Sequence, residues 1–284
     1  MSMLSRWLRK AEQLLAPPLT RCLICGKNSQ GPSPLPEVCS NCAVTIPWIQ
    51  VPRCTTCGRH VGCPDCTRTN EPTSLICNRS AVAYNEVMRE LIGQYKYRGN
   101  EKYTILLGLM LDRAYGLLKA EQDRERQSQL REQRRTSLFS FLGYKGGDPW
   151  RADLLVPVPV SGARLEERGF NQAERLGHVL STRRGIPQLA LLLRTHHTGK
   201  QSFKSRAERL SDMKHAFAID SGMTDRFTDW LQTRRNQGAP LRVIIVDDIY
   251  TTGSTLRACA EPLQRLADEC GVAVEIRSLT LARS

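Results

Sequence analysis

The 284-residue sequence contains no run of about 18 apolar residues, which excludes a membrane-spanning helix. Met1 to Leu15 lack a continuous apolar stretch and a small-residue cleavage site. No secretory signal is expected there, and a cytoplasmic location follows as an expectation. Instead, Leu4, Trp7, Leu8, Ala11, Leu14 and Leu15 share one helical face, with Arg6, Arg9 and Lys10 beside it. That pattern predicts a helix packed on the body of the protein. Its alternative is a helix on a partner or a membrane surface, so peripheral membrane contact stays open. No internal repeat occurs beyond pairs of cysteines. Hydrophobic residues at 40% and charged residues at 24% exclude a disordered chain.

Positive charge is abundant. Lys and Arg number 41 against 28 Asp and Glu, a formal +13. If eight cysteines bind two Zn²⁺ as thiolates, each site adds −2 and the total falls to about +9. The surplus survives that correction and favours a polyanionic partner such as nucleic acid.

Eleven cysteines without an export signal need an explanation other than disulfides. Eight fall in C-x-x-C pairs: Cys22 and Cys25, Cys39 and Cys42, Cys54 and Cys57, Cys63 and Cys66. One such turn places two sulfurs about a metal, and two turns complete a tetrahedral shell. Soft thiolates select zinc or iron, and four closed ligands leave no position for chemistry. Two structural zinc sites are the expected outcome. An iron–sulfur cluster, a redox pair, or one site with four spare thiols are the alternatives. Spacing leaves sequential and crossed pairing both open. Cys77, Cys259 and Cys270 have no partner spacing and are expected as core or surface thiols.

Residues 1–79 also hold several prolines and few long apolar runs, so metal must supply much of their stability. From Ala81, Val87, Met88, Leu91, Ile92 and Tyr95 recur at helical spacing, and a second helix is expected over Tyr103 to Lys119. Glu121 to Arg135 is charge and Gln without apolar period, read as a solvated helix extension or a mobile insertion. From Leu154, short apolar strands alternate with helices. Strands are expected at 154–159, 186–193, 216–219, 243–246 and 272–281, with helices at 171–180 and 255–270. That order argues for an α/β domain with a parallel sheet covered on both faces.

The most specific stretch is Val243-Ile244-Ile245-Val246-Asp247-Asp248-Ile249-Tyr250-Thr251-Thr252-Gly253-Ser254-Thr255-Leu256. A buried strand delivers two carboxylates to its carboxyl end, and a hydroxyl-rich turn then opens a helix. Unsatisfied N–H groups at that helix start suit a phosphate, and Gly253 lets the backbone approach it. The carboxylates suit a sugar diol and a Mg²⁺ held through water.

This stretch resembles the 5-phosphoribosyl-1-pyrophosphate (PRPP) signature of type I phosphoribosyltransferases. The resemblance assigns the ribose hydroxyls to Asp247 and Asp248. It assigns the 5′-phosphate to Thr251, Thr252, Gly253, Ser254 and Thr255. Further matches are Val156-Pro157-Val158-Pro159, Arg168-Gly169-Phe170-Asn171-Gln172-Ala173, Gln201 with Arg209 ahead of Ala216-Phe217, and Tyr84 with Lys96-Tyr97-Arg98-Gly99. Together with the order of the cysteine pairs they resemble the ComF competence family over about residues 20–110 and 150–284. The family implies a Rossmann-like phosphoribosyltransferase domain at 80–284, carrying a charged insertion near 120–150, behind a zinc domain at 1–79. It also implies a role in natural transformation or in the use of DNA as a nutrient.

Two departures stand out. Asp212 occupies a position where the family usually carries Asn. Thr251 stands where purine-type enzymes often carry an Asp general base, so no catalytic residue is assigned. Between Val160 and Lys214 the chain has 11 Lys or Arg against 5 Asp or Glu. Pro157 and Val158 begin the loop resembling the pyrophosphate loop, and Arg164, Arg168 and Asn171 follow it. With Arg206 and Arg209 these cations suit the pyrophosphate of PRPP or a nucleic-acid backbone. Phe170 and Phe217 are expected in the core. Expected partners are therefore PRPP with Mg²⁺, single-stranded DNA, and other competence or DNA-translocation proteins. The functional expectation is a competence factor handling incoming single-stranded DNA. An active phosphoribosyltransferase of unnamed acceptor and a non-catalytic PRPP sensor are its alternatives.

Overall fold

In chain order the elements are β1 (Thr20–Arg21), β2 (Asn28–Ser29), α1 (Ser40–Thr45), β3 (Leu75–Ala83), α2 (Glu86–Arg98), α3 (Glu101–Thr136), β4 (Leu154–Pro157), α4 (Gly162–Arg168), α5 (Gln172–Arg184), β5 (Leu192–Arg194), β6 (Phe217–Ile219), α6 (Thr224–Gln232), β7 (Leu241–Tyr250), α7 (Ser254–Glu269) and β8 (Val274–Arg283). The computed structural model describes residues 20–29, 33–63, 66, 73–98, 101–136, 149–195, 216–234 and 238–284. The expected N-terminal helix, Gln201, Arg206, Arg209 and Asp212 lie outside the described residues.

The main sheet has the order β3-β8-β7-β4, every pair parallel. All of β4 and the apolar run Val243 to Val246 of β7 are buried because both faces of the sheet are covered. Ile244 and Val246 face a core with Leu106, Leu107 and Met110 of α3 and Leu176 and Leu180 of α5. Val243 and Ile245 face the other side, against Leu256, Leu263 and Leu266 of α7 and Phe227 of α6. The strand period of two thus sorts neighbouring residues into two cores. Among the described residues, no helix is long and apolar enough to cross a membrane.

Four elements differ from the sequence expectation. Leu75–Ala83 forms β3, which was not expected, because its polar residues are matched inside the sheet. Asn78 Nδ2 donates to Ser80 Oγ at 2.9 Å, and Ser278 Oγ donates to Asn78 Oδ1 at 3.0 Å. The 79/80 division falls within this strand, whose pairing with β8 ties residues 75–79 to the sheet. β5 and β6 leave the parallel sheet and pair antiparallel with each other. β7 continues to Tyr250 instead of stopping at Val246, because β8 pairs with it as far as Arg283.

Of the two readings of Glu121 to Arg135, the helix extension is the one built, as the second half of α3. Arg79 pairs with Glu121 at 2.6 Å, and Asp123 holds Lys119 at 2.5 Å and accepts from the Trp150 N–H at 2.6 Å. Phe217 is buried, and Phe170 packs edge-on against Tyr95 at 5.4 Å, as expected of core residues. Cys77 and Cys259 are buried thiols, and Cys270 is half-buried.

Candidate functional site

The cysteines gather into two sequential clusters. Cys22, Cys25, Cys39 and Cys42 form one, and Cys54, Cys57, Cys63 and Cys66 the other; within each, the sulfurs lie within 4.8 Å of one another. Cys25 and Cys39 have their sulfurs 3.9 Å apart, and Cys57 and Cys63 theirs 3.4 Å apart. A tetrahedral S₄ shell with bonds of about 2.3 Å needs about 3.8 Å. Backbone N–H groups already point at the sulfurs: Cys39 N to Cys22 Sγ at 3.3 Å, Cys42 N to Cys39 Sγ at 3.4 Å, Cys57 N to Cys54 Sγ at 3.5 Å.

The thiols of one cluster titrate apart. Burial pushes the Cys22 thiol up, but N–H groups of Cys25, Cys39 and Ile24 outweigh it and bring it down to about 6. Burial and the neighbouring sulfurs push Cys42 and Cys66 up. Crowded sulfurs resist ionising together unless a cation lies among them. Both clusters are compatible with structural zinc.

The second site lies at the carboxyl end of the sheet. β4 stops at Pro157, opposite Val246, and the Val158 N–H donates to the Val246 carbonyl at 2.9 Å. Asp247 and Asp248 therefore stand beyond the end of β4. The helix α5 that follows β4 packs on one face of the sheet, and α7, which follows β7, packs on the other. Opposite departures of neighbouring chains open a crevice where α/β sheets bind ligands.

Asp247 and Asp248 are held differently. Asp248 Oδ2 pairs with Lys96 Nζ of α2 at 2.5 Å, and the Asp248 N–H donates to Asp247 Oδ1 at 2.8 Å. Asp247 is half-buried as a residue, yet its carboxyl is enclosed by protein atoms. That burial, then the Asp248 charge, pushes its pKa up to about 8 against the pull of its N–H bond and Lys96. One carboxylate is thus ion-paired with a lysine, and the other accepts a backbone N–H.

Thr251 to Gly253 form the turn into α7. Thr252 Oγ1 lies 3.1 Å from Ser254 Oγ and accepts from the Ser254 N–H at 3.4 Å, at the start of α7, whose N-cap residue Gly253 has no side chain. Its first-turn N–H groups have no intrahelical acceptors and suit an anion. Gly253 has φ +78°, and a Cβ there would come within 2.1 Å of the Tyr250 hydroxyl. Only glycine fits.

No family model matches the chain. Over 256 residues it is 30% identical to the competence protein ComFC of Bacillus subtilis, covering 87% of this chain and 85% of that protein. The chain belongs to the ComF family. The ComFC of Streptococcus pneumoniae is 24% identical over 276 residues, covering 93% of this chain and all of its own length. The DNA utilization protein YhgH of Escherichia coli is 32% identical over 114 residues, 40% of this chain and 44% of its own.

In this ComF chain, the Arg168–Ala173 stretch is a helix stop followed by a helix start. Gly169 ends α4, and Asn171 Oδ1 caps α5 by accepting from Ala173 N at 3.0 Å. Asn171 Nδ2 donates to the Val158 carbonyl at 3.0 Å, which fixes the loop after β4. Pro157, Val158, Asn171, Asp247, Asp248 and Thr251 to Thr255 are thereby brought to one end of the sheet. Arg168 donates to Gln172 Oε1 at 2.9 Å, with its guanidinium 5.9 Å from the Tyr97 ring centroid. Two cations near the acidic pair had no role assigned from sequence. Lys96 was named only as part of a matching segment. Arg194, half-buried on β5, feels both Asp247 and the exposed Arg164 of α4; burial first, then Arg164, lowers its pKa. No local sequence signal marks Arg194, since a strand far along the chain brings it there.

Proposed function

We propose that this ComF chain acts in natural transformation by handling incoming single-stranded DNA, and that its crevice takes PRPP with Mg²⁺. The competence and DNA-utilization names of its relatives support the first part. The observation that carries the second is the acidic pair beside a glycine-led, hydroxyl-bearing helix start at the switch point of the sheet. Asp247 and Asp248 would hold the ribose hydroxyls and the hydrated Mg²⁺. Thr251, Thr252, Gly253, Ser254 and Thr255 would hold the 5′-phosphate. The loop at Pro157 and Val158, with Arg164, Arg168, Asn171 and Arg209, would meet the pyrophosphate. Each cysteine cluster takes one structural Zn²⁺ and stiffens the unit before residue 80 against the phosphoribosyltransferase-like unit after it.

Thr251 favours a sensor over an enzyme. A side chain without a carboxyl at that position supplies no general base, so PRPP would act as a signal or a co-ligand. Release of pyrophosphate with any acceptor nucleobase would reverse that choice.

Titration calorimetry with PRPP and Mg²⁺ tests the pocket. Two charge-assisted diol contacts are each worth roughly 1.5–3 kcal/mol, so Asp247→Asn/Asp248→Asn is expected to weaken binding well over tenfold. Unchanged affinity in the folded double variant removes the assignment. Single-stranded DNA tests the partner. Its affinity is expected to fall with salt, by roughly −0.7 in log–log slope for each phosphate neutralised. Replacing Arg168, Arg206 and Arg209 with Ala is expected to flatten that slope for all sequences alike. A salt-independent interaction contradicts a backbone-contact surface.

A further inference from the structure

One side chain joins the second cysteine cluster to the loop that opens α7. Arg283, the last residue of β8, is 3% exposed. Its Nη2 donates to Cys57 Sγ at 3.4 Å. Its Nη1 donates to the carbonyls of Tyr250 at 3.3 Å and Thr251 at 2.9 Å, and to that of Ser284. The guanidinium also lies over the Tyr250 ring, 4.6 Å from its centroid. The Tyr250 hydroxyl in turn fills the space beneath Gly253. A continuous set of contacts therefore runs from a cluster sulfur, through Arg283 and Tyr250, to the turn before α7.

We propose that Arg283 is a positioning residue that makes the geometry of Thr251–Gly253 depend on metal occupancy of the Cys54, Cys57, Cys63 and Cys66 cluster. The proposal rests on reading that loop as the phosphate site and that cluster as a zinc site. A guanidinium is a rigid planar fork, so fixing one edge fixes the direction of the other. When Cys57 is a metal-bound thiolate, its hydrogen bond from Arg283 is charge-assisted and stronger than one to a neutral thiol. Groups just outside a metal shell orient, and are oriented by, the ligands they touch. With the sulfur held, the opposite edge of the fork is aimed at the two carbonyls that begin the loop. Once metal is lost, Cys57 becomes a weak acceptor free to rotate, and the buried cation must find its compensation in the loop itself. Among the described residues, no side chain links the first cluster to this loop.

Three properties test the coupling: zinc per chain, PRPP affinity with Mg²⁺, and amide hydrogen exchange over residues 250–257. The Arg257 N–H, bonded to the Gly253 carbonyl at 3.0 Å, reports closure of the helix start. Cys66→Ser keeps Cys57 but opens the second metal site. It is expected to lose one zinc, to speed exchange over 250–257, and to weaken PRPP about tenfold, the scale of one charge-assisted hydrogen bond. Arg283→Met is expected to keep both zincs and yet show the same faster exchange and the same loss. Combining them is expected to add little, because both break one connection. Cys25→Ser, in the first cluster, is expected to leave exchange over 250–257 unchanged.

Wild-type exchange and affinity in Arg283→Met overturn the proposal, and so do fully additive losses. If Arg283→Met does not fold, Arg283→Lys takes its place, keeping the charge without the fork; retained zinc with faster loop exchange supports the role, and wild-type exchange overturns it. If the wild-type chain does not bind PRPP, the ligand reading fails by itself. The exchange comparison then still decides the coupling: protection that needs both metal and Arg283 supports it, and protection indifferent to either overturns it.

Discussion

The two cysteine clusters have the same ligands and similar knuckle turns, but their outer hydrogen bonds go to different places. The first is largely self-contained. Cys22 N donates to Lys27 O, Leu23 N to Glu37 O, and Cys25 stays exposed; Tyr103 Oη of α3 reaches in to the Leu23 carbonyl at 3.3 Å. The second is built into the sheet. Asn78 N donates to Thr56 O at 2.8 Å, Asn78 Nδ2 to Cys57 O at 3.2 Å, and Arg79 Nη1 to Thr55 O at 2.8 Å. With the Trp48–Val82 bridge, this segment covers the edge of β3, which would otherwise expose unpaired backbone groups. Two like sets of four sulfurs therefore have unequal structural reach: one closes a loop, and the other closes a loop and an edge of the sheet.

The largest expected difference comes from opening each site in turn. Structural zinc contributes several kcal/mol or more to folding, so Cys57→Ser is expected to lower Tm by roughly 10 °C. Cys25→Ser is expected to cost less than half of that, since its cluster leaves the sheet edge covered. Equal shifts in thermal melts, or the reverse order, would break the comparison. Metal analysis of the same variants is expected to show one zinc lost in each.

A smaller effect separates the two knuckle glycines. Gly26 has φ +71° and Gly58 has φ +73°, so alanine at either position costs about 1–2 kcal/mol in backbone conformation. At Gly58 a Cβ would also come within 2.6 Å of the Asn78 carbonyl oxygen, whereas at Gly26 the nearest atom lies at 3.6 Å, on the Arg21 side chain. Overpacking against the strand adds about 1–3 kcal/mol, so Gly58→Ala is expected to be the more destabilising in denaturant melts.

A last effect lies at the sheet's carboxyl end and extends the contrast from the cysteine clusters to the acidic pair. Asp247 has a folded pKa raised to about 8, above its unfolded value of about 4. A carboxyl raised in this way binds more protons when folded, so stability falls as pH rises between the two values. Asp247→Asn is expected to flatten the fall of Tm between about pH 5 and pH 8. An unchanged slope would assign the pH dependence to other groups.

Features with a local cause were legible in the residues. The eight-cysteine spacing announced two four-sulfur clusters because a C-x-x-C turn brings its sulfurs together whatever surrounds it. Val243 to Leu256 announced a strand, an acidic pair and a helix start because apolar run, turn chemistry and helix capping all act within a few residues. β3 was not legible: Asn78, Arg79 and Ser80 read as loop residues until Ser278, Thr280 and the Cys54–Gly58 turn are set beside them. The same holds for the continuation of β7 to Tyr250, which depends on β8 as its partner.

The sequence by itself therefore determined the four C-x-x-C pairs, the α/β class and the acidic pair ahead of a hydroxyl-rich helix start, each through interactions between near neighbours in the chain. Only the tertiary structure decided how the cysteine pairs combine and that Lys96 meets Asp248. It also decided that Arg194 lies near Asp247, and that Arg283 lies between a cluster sulfur and the Thr251 carbonyl, 226 residues from the one and 32 from the other. Hydrogen bonds and ion pairs between such distant residues depend on how strands are ordered and how helices leave them, and no local pattern records that order.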